Sequence, residues 1–294
     1  MSVESEHRKR TDRVADDPAL TKQVTSALNQ VAKELRTPIA NSSSVKSAQR
    51  FVGKPLPKRT QGRRMTIEAL REIYTIAYIG GFLQNAVVLK FKPPKEFGEA
   101  EAIARAKATK VMTKDQFDQL DDWAKGEAFT AAGQTIESIE AARDIALINA
   151  LENGDPLSTI VKALTPDWKG EGRVLSKLHI ENVMRTNSLR AYNQGFNDVA
   201  FQPGMAERLP VARYSAVIDD RTSEICQALD GLLMDREAVT QYTPPLHFMC
   251  RSILLWETGA RGKPVQSLST LKRLPENQQP DPGFGAYKPA TIGG

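Results

Sequence analysis

Cysteine is nearly absent: the chain has two in 294 residues, Cys226 and Cys250. That excludes a disulfide-stapled secreted scaffold and a zinc site built from cysteines alone. Aromatic residues are sparse at 6% and hydrophobic residues make up 40%, so a polar arm or tail is expected to dilute a compact part. There is no Walker motif, no G-x-S-x-G and no H-E-x-x-H, so these signatures of nucleotide, serine-hydrolase and zinc-protease chemistry are missing. The opening MSVESEHRKR is charged and precedes no apolar run, which argues against a secretory signal and for a chain made in a cytosol. Long hydrophobic runs are also scarce. The longest uncharged stretch runs from Ile73 to Leu89, at the lower edge of a membrane span. Its Thr75, Gln84, Asn85 and Gly80-Gly81 favour a buried core helix or helix pair over a span.

Charge is what the chain distributes unevenly. The net charge is +5, yet residues 1–64 carry 14 Lys+Arg against 6 Asp+Glu. Residues 95–155 reverse this with 7 against 13, and residues 259–294 return to 5 against 2. A basic arm can track phosphates, because each neutralised phosphate releases counterions. It can equally dock on an acidic protein face or stay solvated. Arg8, Lys9 and Arg10, the pair Lys58-Arg59 and the pair Arg63-Arg64 are the candidate nucleic-acid contacts, although no aromatics interleave them.

Four segments are expected. Residues 1–64 form a basic arm with one amphipathic helix and a Ser/Pro/Lys-rich linker. Asp17-Pro18 reads as its N-cap and first position, Leu20, Val24, Leu28, Val31 and Leu35 recur at helical spacing, and Thr37-Pro38 closes the run. Residues 65–204 form a helical body. Within it a break is expected at Gly80-Gly81, a capping box at Thr113-x-x-Gln116, a stop at Asn153-Gly154 with a restart at Asp155-Pro156, and a long helix over about 171–201. Residues 205–258 form a small α+β module with strands near 211–218, 232–234 and 252–256 and a short helix over 223–229. Residues 259–294 read as a Pro-rich tail outside any core. The fold class is therefore α+β: a mostly helical body with long helices and a small C-terminal antiparallel sheet, flanked by an extended arm and a tail.

The densest chemistry lies between Asp219 and Arg251. The window reads Asp219-Asp220-Arg221-Thr222-Ser223-x-x-Cys226, then Asp230-Gly231, then Pro244-Pro245-x-His247-x-x-Cys250-Arg251. Two thiols, an imidazole and nearby carboxylates are what a tetrahedral zinc site needs, so Cys226, His247 and Cys250 are candidate ligands. The fourth ligand is open, because Ser223 stands where a C-x-x-C pair would place its first thiol. The alternative is a packed, hydrogen-bonded polar core, with His247 capping a turn or pairing with Asp220. A Cys-His-Asp triad is a third option, but no Gly-rich turn surrounds either cysteine. Asp219, Asp220 and Arg221 also suit a salt-bridged corner, with Asp220 and Ser223 as candidate helix caps. On the preceding long helix, Thr186 and Asn193 share a face, which suggests a polar network directed at the small sheet.

Read together, Arg185-Thr186-Asn187, Ala191-Tyr192-Asn193-x-Gly195, Asp219-Asp220-Arg221-Thr222-x-x-x-Cys226, Leu229-Asp230-Gly231 and Pro244-Pro245-x-His247-x-x-Cys250-Arg251-Ser252 resemble the phage Mu F-like head morphogenesis family. The resemblance spans about residues 145–258. Two positions depart from it: the family usually has Glu where Asn187 stands, and many members have Cys where Ser223 stands. It implies a non-enzymatic minor capsid protein of a tailed bacteriophage, assembled in the host cytoplasm and resident in the virion. Its implied partners are the portal protein, the major capsid protein or both, and several copies per virion are implied. The basic arm is a candidate contact to packaged double-stranded DNA, and ejection with that DNA is a further implication. No membrane association is expected, and no cofactor beyond the candidate zinc. Under this reading Asp219, Asp220, Arg221, Thr222, Gly231, Pro244, Pro245 and Arg251 are the module's scaffold. The rival reading is a phage-delivered nuclease or transferase that uses the region of Asp219, Arg221 and His247.

Overall fold

A computed structural model describes residues 16–88, 114–167, 176–260 and 262–287. The described residues fall into two compact units, one holding residues 16–72 and 123–184 and the other the remainder. The described structure is α+β and mostly helical.

In the first unit, α1 (Pro18–Ala40) starts as its sequence dictates. The Asp17 carboxylate accepts the Ala19 and Leu20 N–H groups at 2.8 and 3.0 Å, and Pro18 follows it. Leu20, Val24, Leu28, Val31 and Leu35 are all buried, as their spacing predicts. Pro38 does not stop the helix, which continues to Ala40. The reason is Ile39, which is fully buried in a cluster with Ala48, Leu147, Ala150, Ile160 and Leu164. Burying such a side chain stabilises by about 1.5–3 kcal/mol, comparable to the helix penalty of a proline.

The stretch expected as a linker is packed. A Ser44–Ser47 capping box opens α2 (Val45–Ala48), and a 3-10 turn over Gln49–Phe51 follows. Beyond it, the backbone is satisfied by side chains of α4 (Lys114–Asn153). Asp144 accepts the Gly53 N–H at 2.9 Å, Glu140 accepts the Leu56 N–H, and Arg143 donates to the Lys54 carbonyl at 2.7 Å. A segment whose backbone partners are distant side chains needs no hydrophobic period of its own, which is why it read as linker. Helix α3 (Gln61–Val88) then begins against α1, where the Glu34 carboxylate accepts the Gly62 N–H at 3.0 Å. Helix α4 ends at Asn153 with Gly154 at φ +73°, as expected. The restart, α5 (Leu157–Ala163), comes one residue later than read, with Pro156 at the cap. Thr113 of the expected capping box lies outside the described residues.

In the second unit, α3 runs through Gly80-Gly81 without a break. Gly81 serves a close crossing with α6 (Lys177–Ala200). A Cβ on Gly81 would lie 1.9 Å from the Tyr192 carbonyl oxygen, and one on Gly195 would lie 2.1 Å from the Tyr78 carbonyl oxygen. The uncharged stretch is therefore core: Ile73, Tyr74, Thr75, Ala77, Tyr78, Ile79 and Phe82 are buried. Among the described residues no helix is long and apolar enough to cross a membrane. Helix α6 is seen from Lys177, since Ser176 sits in a bridge with Asp167; residues 168–175 lie outside the described set.

A four-stranded sheet follows in the order β3-β1-β2-β4. Strand β1 (Val211–Ser215) pairs antiparallel with both β2 (Leu233–Asp235) and β3 (Ile253–Glu257). It stops short of Ile218 because the Ala216 N–H turns to the Asp230 carboxylate at 2.8 Å. The sheet is not wholly antiparallel: β4 (Val265–Gln266) joins β2 in parallel. Between the strands lie α7 (Glu224–Leu229) and α8 (Arg236–Tyr242).

Strand β4 belongs to the segment read as a tail, and that reading is corrected. Leu268 and Leu271 of α9 (Leu268–Leu271) enter the core cluster of the module. Gly285 and Tyr287 exchange backbone hydrogen bonds with Thr243, Pro245 and Thr240, and the Tyr287 side chain is buried. Polar composition hid this because the segment docks through backbone groups and a few apolar side chains, Leu268, Leu271, Leu274 and Tyr287.

Candidate functional site

The window from Asp219 to Arg251 folds into one site in the second unit. Ser223 caps α7, its hydroxyl accepting the Cys226 N–H at 3.4 Å, and so places Cys226 on the first turn. Cys226 Sγ lies 3.3 Å from the Tyr214 hydroxyl on β1.

The opposite wall is the loop between α8 and β3, which opens with the cis peptide bond Pro244–Pro245. Helix α6 holds this loop as its polar face suggested. Asn193 donates to the Pro244 carbonyl at 2.9 Å, and the Met249 N–H donates to the Thr186 hydroxyl at 3.3 Å. Met249 is the one non-glycine with positive φ among the described residues, at +57°. This left-handed residue costs roughly 1–2 kcal/mol and turns the chain so that His247 and Cys250 converge.

They converge on Cys226. His247 Nε2 lies 3.2 Å from Cys226 Sγ and 2.8 Å from the Ser223 hydroxyl, and the two sulfurs are 3.9 Å apart. On its other side, His247 Nδ1 is 2.7 Å from the Phe248 carbonyl. A carbonyl only accepts, so Nδ1 carries a proton and Nε2 faces the sulfurs. The contact with Cys250 lowers the Cys226 thiol below its ordinary value against the opposing effect of burial, and His247, Ser223 and Ser252 add to the lowering. Burial pushes Cys250 well above the usual thiol range. Burial also pushes His247 down, but the hydrogen bond and charge of Cys226, with the Phe248 carbonyl, outweigh it and the net direction is up.

A second set surrounds Asp219. Arg251 donates two hydrogen bonds to its carboxylate at 2.7 and 2.5 Å, and the Arg221 N–H adds a third at 2.9 Å. Thr222 ties the same turn, accepting the Asp219 N–H at 2.8 Å and donating to the Val217 carbonyl at 2.6 Å. The salt-bridged corner is present, with Arg251 as its close cation and the exposed Arg221 guanidinium adding a longer ion pair to Asp219 at 3.8 Å. Asp220 is exposed and caps nothing, because Ser223 holds the helix end, and His247 pairs with Ser223, Cys226 and Phe248 instead of Asp220. Gly231 adopts φ +76° and sends its N–H to the Tyr214 carbonyl. Asp219 and His247 thus belong to separate hydrogen-bond sets.

Arg251 holds the Asp219 carboxylate far below the usual range. The folded value lies under the unfolded one, so this pair's contribution is present above the unfolded value and is lost as pH falls through and below it. Melting temperature followed from about pH 5 downward should therefore drop more steeply in the wild type than in Asp219→Asn. Equal slopes would show that the pair does not contribute.

Of the basic candidates, Arg8, Lys9 and Arg10 lie outside the described residues. In the first unit Lys58, Arg59, Arg63 and Arg64 line one groove at the start of α3, with Glu68 beside them.

The polar network expected on α6 is present, but two of its members, Asn197 and Asp198, were not read from the sequence. Asn197 donates to the Thr243 hydroxyl at 3.1 Å and accepts from the Trp256 indole at 2.9 Å. Asp198 accepts from the hydroxyls of Tyr78 and Tyr287, each at 2.6 Å. The available signal was the density of polar residues at 193, 194, 197 and 198 on a helix flanked by apolar ones. Arg236 was also missed: it donates to the Leu209 and Ala200 carbonyls at 2.9 Å and lies over the Phe201 ring at 4.4 Å.

The architecture defines a small mixed-sheet module whose two cysteines and one histidine meet at a helix cap. Residues 144–255, well under half of the chain, match the family model described as Phage Mu protein F like protein. No curated protein and no solved structure matches the chain.

Proposed function

We propose that this chain is a minor head morphogenesis protein of a tailed bacteriophage, a structural component of the virion bound to the portal, the major capsid protein or both. The observation that carries the reading is the family match over residues 144–255, which contains every element of the Cys226–His247–Cys250 and Asp219–Arg251 sets. The motif side chains are engaged with one another, as expected of residues that hold a module together. The chain would then act through its surfaces. Co-sedimentation of the purified chain with portal or capsid protein, and its presence in purified particles, test this. Absence from particles together with failure to bind either protein would overturn it.

The groove of Lys58, Arg59, Arg63 and Arg64 supports a contact to packaged double-stranded DNA. Replacing all four with glutamine should weaken binding to unrelated duplexes equally. It should also flatten the salt dependence by about one unit of log–log slope for each phosphate no longer neutralised. An unchanged slope would remove these residues from the interface.

A further inference from the structure

We propose that Cys226, His247 and Cys250 bind one zinc ion, with the fourth position filled by a water held on the Ser223 hydroxyl. This inference stands on the site itself and does not depend on a role in head assembly.

One ligand atom from each residue lies within 4.8 Å of the others. Zinc bonds of about 2.3 Å to sulfur and about 2.05 Å to nitrogen place two tetrahedral sulfurs about 3.8 Å apart, and sulfur about 3.6 Å from nitrogen. The Cys226–Cys250 and Cys226–His247 separations are 3.9 and 3.2 Å, each within a few tenths of an ångström of these values, and Cys250 and His247 lie within 4.8 Å of each other. The sulfurs are far outside the roughly 2.05 Å of a disulfide.

The groups around these atoms are also those of a metal site. Metal-ligating histidines characteristically donate their remote N–H to a carbonyl or carboxylate, which orients the ring. His247 Nδ1 does so to Phe248, leaving Nε2 directed at the sulfurs. The left-handed Met249 brings the two ends of His247-x-x-Cys250 to one point. Ser223, 2.8 Å from Nε2, marks the side left for a fourth ligand. Zinc displaces the protons on its ligand atoms into solvent and takes their place.

The test uses the full chain, purified under reducing conditions and titrated with zinc or cobalt. One zinc per chain is expected, and cobalt should give tetrahedral visible absorption with a sulfur-to-cobalt band. His247→Gln and Cys250→Ser should weaken zinc binding at least about tenfold. Because either variant could fail to fold, Ser223→Cys supplies the opposite sign: a third thiolate should tighten binding at least about tenfold. Failure to bind zinc above background would overturn the proposal. So would an affinity unmoved by Ser223→Cys and Cys250→Ser, or a mass two hydrogens light with no free thiol, which would identify a disulfide.

Discussion

Gly195→Ala is expected to destabilise the protein by about 3 kcal/mol or more, and Gly81→Ala by a similar amount. The sign is opposite to that of an ordinary helix glycine, where alanine gains roughly 1 kcal/mol. The crossing of α3 and α6 decides it. The added methyl would sit 2.1 Å from the Tyr78 carbonyl oxygen in one case and 1.9 Å from that of Tyr192 in the other. Both obstacles are backbone, so no side-chain rotation relieves them, and the helices must separate. Their core includes Tyr74, Tyr78 and Tyr192, all essentially fully buried. Urea unfolding of the two variants checks this, with Gly126→Ala as the control. Gly126 lies on α4 with nothing within 4 Å of an added Cβ, so that variant should gain stability. Three variants behaving alike would show that the two helices cross with room to spare.

Asp198→Ala is the second change with a large expected effect. It removes the acceptor of Tyr78 and Tyr287, both at 2.6 Å, and a partner of Gln194 at 3.2 Å, all of them buried. A buried hydroxyl left without a partner costs about 1–3 kcal/mol, so the destabilisation should be about 3 kcal/mol in total. Tyr287→Phe removes only one of these bonds and should cost about 1 kcal/mol. It should also loosen the C-terminal segment, seen as faster proteolysis beyond residue 259. If Asp198→Ala and Tyr287→Phe prove additive in a double-mutant cycle, Asp198 does not anchor that segment.

Much of the module was legible because its signals are local. Ser223 and the apolar positions that follow it define a helix start, and Val211 and Ile253 open compact apolar runs that became neighbouring strands. The meeting of Cys226, His247 and Cys250 was legible from composition, since two cysteines and a histidine fall within one short window. Their partners were not. Phe248 contributes a backbone carbonyl and Tyr214 a hydroxyl from a strand 12 residues upstream of Cys226, and neither leaves a mark in spacing.

The readings that changed were those in which a local rule met a distant partner. Gly80-Gly81 signals a break to the chain around it, but the helix is continuous, and at Gly81 the backbones of Tyr192 and Phe196 approach so closely that only glycine leaves room. Pro38 signals a stop, but the burial of Ile39 carries the helix past it. By itself the sequence determined the amphipathic first helix, the Gly154 stop, the strand segments and the candidate ligands, because each depends on residues a few positions apart. Only the tertiary structure decided the glycine crossing, the choice of Arg251 as the partner of Asp219, and the docking of residues 262–287. Each of those rests on atoms far apart in the chain whose distance sets the sign of the interaction.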